Sequence, residues 1–144
     1  MALIHLVYAS AASRSLSKQE LLDLLKLARD RNAAREITGM LLYADGTFFQ
    51  VLEGEEDVVM PLFDHICTDP RHARVLTVVK EVISARSFAD WSMGFRELKT
   101  SEIRDLVGFS SALHAGDALM QIDAGRARKL LTAFKEGRWR LNVA

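Results

Sequence analysis

Asp45-Gly46 is the strongest local instruction in this chain. The pair stands between two apolar runs, Ile37 to Ala44 and Thr47 to Glu53. In that setting Asp-Gly is the best short-range signal for a two-residue β-hairpin. Such a turn sets the register: Ala44 pairs with Thr47, Tyr43 with Phe48, Leu42 with Phe49 and Leu41 with Gln50. Strand side chains alternate between faces, so Gln50 shares a face with Phe48, Leu52, Leu41 and Tyr43. A buried amide costs roughly 1–3 kcal/mol if its hydrogen-bonding groups go unsatisfied. It can donate twice and accept twice, so something polar must meet it. That partner is either an ordinary core group, or water at a sheet edge, or a ligand.

The remaining elements follow from periodicity. Leu3 to Ala9 is a short apolar run that suits a buried strand. Ser17-Lys18-Gln19-Glu20 spells a capping box and opens a helix to about Asn32. Leu21, Leu25, Ala28 and Asn32 fall on one line of it, so Asn32 ends an apolar stripe, either as an inward polar group or as a helix C-cap. A second helix follows Gly54 and runs to about Thr68, with Pro61 expected to kink it or delay its start. Val75 to about Ser84 reads as a strand. Phe88 to Leu98 holds the last one, with Trp91, Met93 and Phe95 on one face. The order βαββαββ predicts an α+β, ferredoxin-like mixed sheet with two helices on one face. Residues 1–98 form that unit. Residues 99–144, with helical patterns around Ile103–Val107 and Asp117–Glu136, are expected to cover the back of the sheet.

Composition excludes several functions. Nineteen basic residues balance nineteen acidic ones in a 144-residue chain, so no global field draws it to nucleic acid or anionic lipid. The N-terminus lacks a secretory signal, and no apolar run reaches the roughly 20 residues of a membrane span. A soluble, cytoplasmic protein is expected. Cys67 is the single cysteine, expected to pack as a small apolar residue on the second helix. His5, His65, His72 and His114 show no metal-ligand spacing. No phosphate-binding glycine loop and no nucleophile elbow is present. Arg29, Arg31, Arg35, Arg71, His72 and Arg74 suit either a phosphate or a solvated basic rim.

Tyr8 and Gln50 inside strands, Asn32 at the end of a helix stripe, and Trp91 and Met93 two apart on a third strand form a more telling set. A planar ligand with a polar edge, held between the two helices, gives each a partner, in the apolar pocket with few polar groups that is usual for cofactors. At this point the chain resembles a BLUF domain, the flavin-using blue-light sensor, over about residues 2 to 98. The matching pieces are Leu6-Val7-Tyr8-Ala9-Ser10, Arg31-Asn32 with Ile37-Thr38-Gly39-Met40-Leu41, and Phe48-Phe49-Gln50-Val51-Leu52-Glu53-Gly54. Asp69-Pro70-Arg71-His72 and Arg86-Ser87-Phe88-Ala89-Asp90-Trp91-Ser92-Met93 complete them.

The resemblance implies a noncovalent flavin, FAD or FMN. It makes Tyr8 the electron and proton donor, Gln50 the bridge from Tyr8 to the ring, and Asn32 a partner of the ring edge. Leu24, Leu41 and Phe48 are implied to line the ring, and Asp69, Arg71 and His72 to lie near the ring or its ribityl-phosphate tail. Trp91 and Met93 match the positions that carry the signal outward. Arg31 stands where relatives often have His or Asn, and Ala28 where some have Ser. The expected function is a photoreceptor rather than a catalyst, presenting a changed surface to a downstream protein partner, with a homo-oligomer expected. A flavin-dependent oxidoreductase on the same fold is the alternative. It requires a second acid-base group that the sequence does not offer.

Overall fold

The computed structural model describes residues 2–13, 16–44, 46–89 and 93–97, together with 124, 125, 127, 128 and 132. Within residues 3–97 the elements follow the expected order: β1 (Leu3–Ala12), α1 (Lys18–Ala34), β2 (Thr38–Ala44), β3 (Thr47–Glu55), α2 (Glu56–Thr68), β4 (His72–Val82) and β5 (Gly94–Glu97). They build one sheet in the order β4-β1-β3-β2-β5. The pairings are antiparallel except β5, which runs parallel to β2. The ferredoxin-like α+β expectation holds.

The hairpin has the register that its turn dictates, from Thr47 against Ala44 to Gln50 against Leu41. Gly46 takes a positive φ of 78°, which glycine adopts freely. Gly39 matters more. Its φ is 155°, and an added Cβ would lie 1.9 Å from the Val51 carbonyl oxygen, so β2 meets β3 there only because no side chain intervenes.

Helix α1 begins at the expected capping box. Ser17 Oγ accepts from Glu20 N–H at 3.2 Å, and Glu20 Oε1 accepts from Ser17 N–H at 3.1 Å. Its buried residues are Leu21, Leu25, Ala28 and Asn32, the stripe read from the sequence. The C-cap is Arg35, so the capping reading of Asn32 falls. The Asn32 side chain lies wholly inside, while the backbone carbonyl of Asn32 accepts from Arg35 and Ile37 N–H.

Several boundaries differ. Pro61 sits inside an unbroken α2, where its missing N–H forfeits a single bond, to Asp57. Cys67 is exposed, not packed. The buried face of α2 carries Val59, Leu62, Phe63 and Ile66, and one further residue turns Cys67 outward. Strand β4 starts at His72, three residues before its expected start. The last strand, Gly94–Glu97, falls inside the expected Phe88–Leu98 segment, and ahead of it the Ser87 and Phe88 amides bond the Glu53 carboxylate. Met93 therefore precedes β5, and Trp91 lies outside the described residues.

Both faces of the central strands β1 and β3 and of β2 are largely buried, while edge strand β4 stays partly exposed. Ile4, Leu6, Tyr8, Phe48 and Leu52 pack beneath α1 and α2 with Leu21, Leu25, Leu62 and Ile66. The opposite parity, Val7, Ala9, Met40, Leu42, Phe49 and Val51, is equally inaccessible. On that side His5 Nε2 lies 2.8 Å from Glu81, and Arg128 reaches the same carboxylate at 3.2 Å, beside a fully buried Ala127.

Candidate functional site

The middle of β1 places Tyr8 directly opposite Gln50 on β3. On its other side, against β4, a bulge between Val7 and Tyr8 shifts the pairing from Val79 to Thr77. Bulges re-aim side chains, and this one sits at the phenol. Tyr8 is fully buried and stacks obliquely on Phe63, with ring centroids 5.2 Å apart. Its hydroxyl donates to Gln50 Oε1. Gln50 Nε2 in turn donates to Met93 Sδ at 3.5 Å. A thioether sulfur can only accept, so the amide nitrogen must face Met93 and the amide oxygen must face Tyr8. Burial pushes the Tyr8 phenol well above its ordinary pKa, with the Arg31 charge opposing part of the rise. Tyr8 therefore stays a neutral O–H donor.

Around this pair α1, α2 and the start of β4 form a cleft lined by Tyr8, Leu24, Ala28, Leu41, Phe48, Gln50 and Ile66. Its polar rim is Arg31, Asp69, Arg71 and His72. His72 Nδ1 shares a 2.7 Å hydrogen bond with Ser10 Oγ, its ring lies 5.2 Å from that of Phe48, and burial lowers its pKa. Arg71 forks onto Asp69, Nε to Oδ1 at 3.0 Å and Nη2 to Oδ2 at 2.6 Å. These bonds hold the Asp69 carboxyl down at a pKa of about 2. Asn32 is buried one turn beyond Ala28 on α1.

The structure thus gathers Tyr8, Gln50, Leu24, Leu41, Phe48, Asp69, Arg71 and His72 around one cleft, with Met93 touching Gln50 from behind. The lining suits a flavin: aliphatic and aromatic walls for a planar ring, and amide, phenol and guanidinium groups for its polar edge. Arg31 Nε is buried there with no hydrogen-bond partner among the described residues, a donor that a ligand acceptor can satisfy. The side chains enclose about 30 Å³ there. Among the described residues no cluster of His, Cys, Asp or Glu could hold a metal ion, and no helix is long and apolar enough to cross a membrane.

Two residues escaped the sequence reading. Glu53 is completely buried on the back of β3, where its carboxylate accepts from Thr38 Oγ1, Ser87 N–H and Phe88 N–H at 3.1, 2.7 and 2.9 Å. Its parity with Phe49 and Val51, a charge on an inward face, was the available signal. Arg29, read as part of a basic rim, donates from Nε to the Met93 carbonyl at 2.9 Å. No local pattern could announce a contact across 64 residues.

A family model described as "Sensors of blue-light using FAD" matches residues 3–94. The photoactivated adenylate cyclase subunit beta of Euglena longa is 42% identical over 89 residues, 61% of this chain and 10% of that protein. The blue light- and temperature-regulated antirepressor BluF of Escherichia coli (strain K12) is 30% identical over 102 residues, 71% of this chain and 25% of that protein. The chain therefore spans about a tenth to a quarter of the length of these curated relatives. Among solved structures, BlsA in its ground state superposes with a TM-score of 0.81 at 30% identity, covering 95% of this chain and 90% of that one. A dark-state structure of the BLUF protein BlrB gives 0.76 at 29% identity, covering 94% and 96%.

Proposed function

The chain belongs to the BLUF family of flavin-binding blue-light sensors, and on that premise we propose that Tyr8 and Gln50 are its photochemical pair. The observation that carries this reading is the line from the Tyr8 hydroxyl through the Gln50 amide to Met93 Sδ, buried along its length. Leu24, Asn32, Leu41, Phe48, Asp69, Arg71 and His72 hold the flavin, FAD or FMN, between α1 and α2. When bound, the flavin supplies blue-light absorption and, once excited, a strong one-electron oxidant. Tyr8 is the reductant. Because its phenol is neutral, loss of an electron makes it strongly acidic, and Gln50 Oε1 is the acceptor already in place for its proton. When both return to Tyr8, the Gln50 amide settles in a rearranged form, rotated or tautomeric, and of the two we take the rotated one. Nε2 then faces the Tyr8 oxygen, and Oε1 faces Met93 Sδ.

Two acceptors opposed in a buried site repel, so Met93 is released. The signal leaves along β5, through the Trp91 and Met93 segment, to the C-terminal residues 99–144, which we assign to the back of the sheet. The buried Ala127 and the Arg128–Glu81 pair support that placement. Output passes to an effector protein. The relatives named above combine such a domain with adenylate cyclase or antirepressor activity. For this chain we propose sensing without catalysis of its own. The test is absorption before and after blue light. The wild type should show a slight red shift that reverses in the dark, and Tyr8→Phe should bind flavin without it. A normal reversible shift in Tyr8→Phe would remove Tyr8 from the role.

A further inference from the structure

Met93 is held at two points. Its sulfur receives Gln50 Nε2 at 3.5 Å, and its carbonyl oxygen receives Arg29 Nε–H at 2.9 Å. Arg29 follows Ala28 on α1, so it stands on the flank of the helix beside the buried stripe, on the element that also walls the cleft. It is an odd place for a guanidinium. Nη2 is buried without a hydrogen-bond partner among the described residues, and burial lowers the pKa. No ion pair involving Arg29 is found among those residues, so the bond to the Met93 carbonyl is what the side chain gains there. Charge-assisted bonds of this kind are about twice as strong as neutral ones.

The other end of the connection between β4 and β5 is fixed independently. Glu53 takes the Ser87 and Phe88 amides, and Arg86 Nη1 donates to the Glu53 carbonyl and to Thr38 Oγ1 at 2.8 and 2.9 Å. The connection is therefore tied to β3 near its start and to α1 at its end, with β5 beginning at the very next residue, Gly94.

We propose that Arg29 is a positioning residue for the signal: it presents Met93 to Gln50 and ties β5 to the helix that walls the flavin cleft. This rests on the proposed role of Gln50 and adds α1 as the support against which Met93 moves. When the amide turns, the sulfur is released while the carbonyl stays held. The displacement is then delivered to β5 and not lost in a loosened loop. Without Arg29, the entry to β5 is already loose in the dark, and light has little left to change.

The experiment is hydrogen–deuterium exchange at residues 94–97, dark and under blue light, on the full flavin-loaded chain, with absorption recorded on the same samples. In Arg29→Gln the flavin content and reversible red shift should match wild type. Dark exchange at 94–97 should rise about tenfold, as expected for loss of a hydrogen bond to a charged group. The light-induced change there should fall below about a third of wild type. Arg29→Lys, which keeps a cationic donor, should recover at least half of that change. A wild-type light response at 94–97 in Arg29→Gln overturns the proposal, as does Arg29→Lys behaving no better than Arg29→Gln. If Arg29→Gln fails to hold flavin, Arg29→Lys decides alone: a red shift with a wild-type exchange response supports the proposal, and a red shift with that response lost overturns it. Absence of the red shift in wild type itself is a failure of the Gln50 reading, visible in absorption whatever exchange reports.

Discussion

Tyr8 and Gln50 meet because β1 and β3 pair antiparallel with these two residues opposed on the helix-covered face. Each answers the other's need: the phenol requires an acceptor inside the core, and the amide requires polar company on both of its ends. The Met93 sulfur supplies the second contact. Met93→Leu keeps the volume but removes the acceptor. It should leave the red shift in place and change the rate of dark recovery several-fold, measured as decay of the shifted absorption. Unchanged recovery would mean that the sulfur has no hold on the amide. Asp69 and Arg71 allow a second prediction. The folded pKa of Asp69, about 2, lies below its unfolded value near 4. Its contribution is therefore present above about pH 4 and lost as pH falls through about 2. Arg71 is well exposed, so Asp69→Asn should cost less than about 1 kcal/mol at pH 7. That gap should close near pH 2, as denaturant unfolding at the two pH values would show.

At the scale of elements, the β2–β3 hairpin is the frame on which the site depends. Gly39→Ala would drive a methyl group into the Val51 carbonyl at a positive φ. It should lose more than about 3 kcal/mol and lower the thermal midpoint steeply, because neither strand can retreat without breaking the Leu41–Gln50 register. Ser17→Ala, which removes one arm of the α1 capping box, should cost only about 1 kcal/mol. These two elements were readable because their signals are local: a two-residue turn, a capping box, and a stripe at helical spacing from Leu21 to Asn32. What could not be read depends on partners far along the chain. The bulge at Tyr8 arises from how β4 meets β1, and Glu53 holds the Ser87 and Phe88 amides ahead of a final strand that begins only at Gly94. Pro61 shows the reverse case, a local breaker overruled because α2 buries Val59, Leu62, Phe63 and Ile66 around it.

In the whole molecule, the α1 and α2 side of the sheet holds the cleft, and our proposal gives residues 99–144 the other side, where the described Arg128 pairs with Glu81. Val7, Ala9, Met40, Leu42, Phe49 and Val51 are all inaccessible, so that face needs cover. Ending the chain after residue 98 should uncover them and give a protein that self-associates on size exclusion; a soluble monomer would contradict the assignment. On that proposal light acts on one layer and is read from the other, and the Glu81–Arg128 contact joins the two. The most direct test of this account compares light-minus-dark absorption of wild type and Gln50→Leu, loaded with the same flavin. A reversible red shift in wild type, and flavin bound without a shift in Gln50→Leu, is the predicted result. A full reversible shift in Gln50→Leu would contradict it, because the signal would then arise without the amide that joins Tyr8 to Met93.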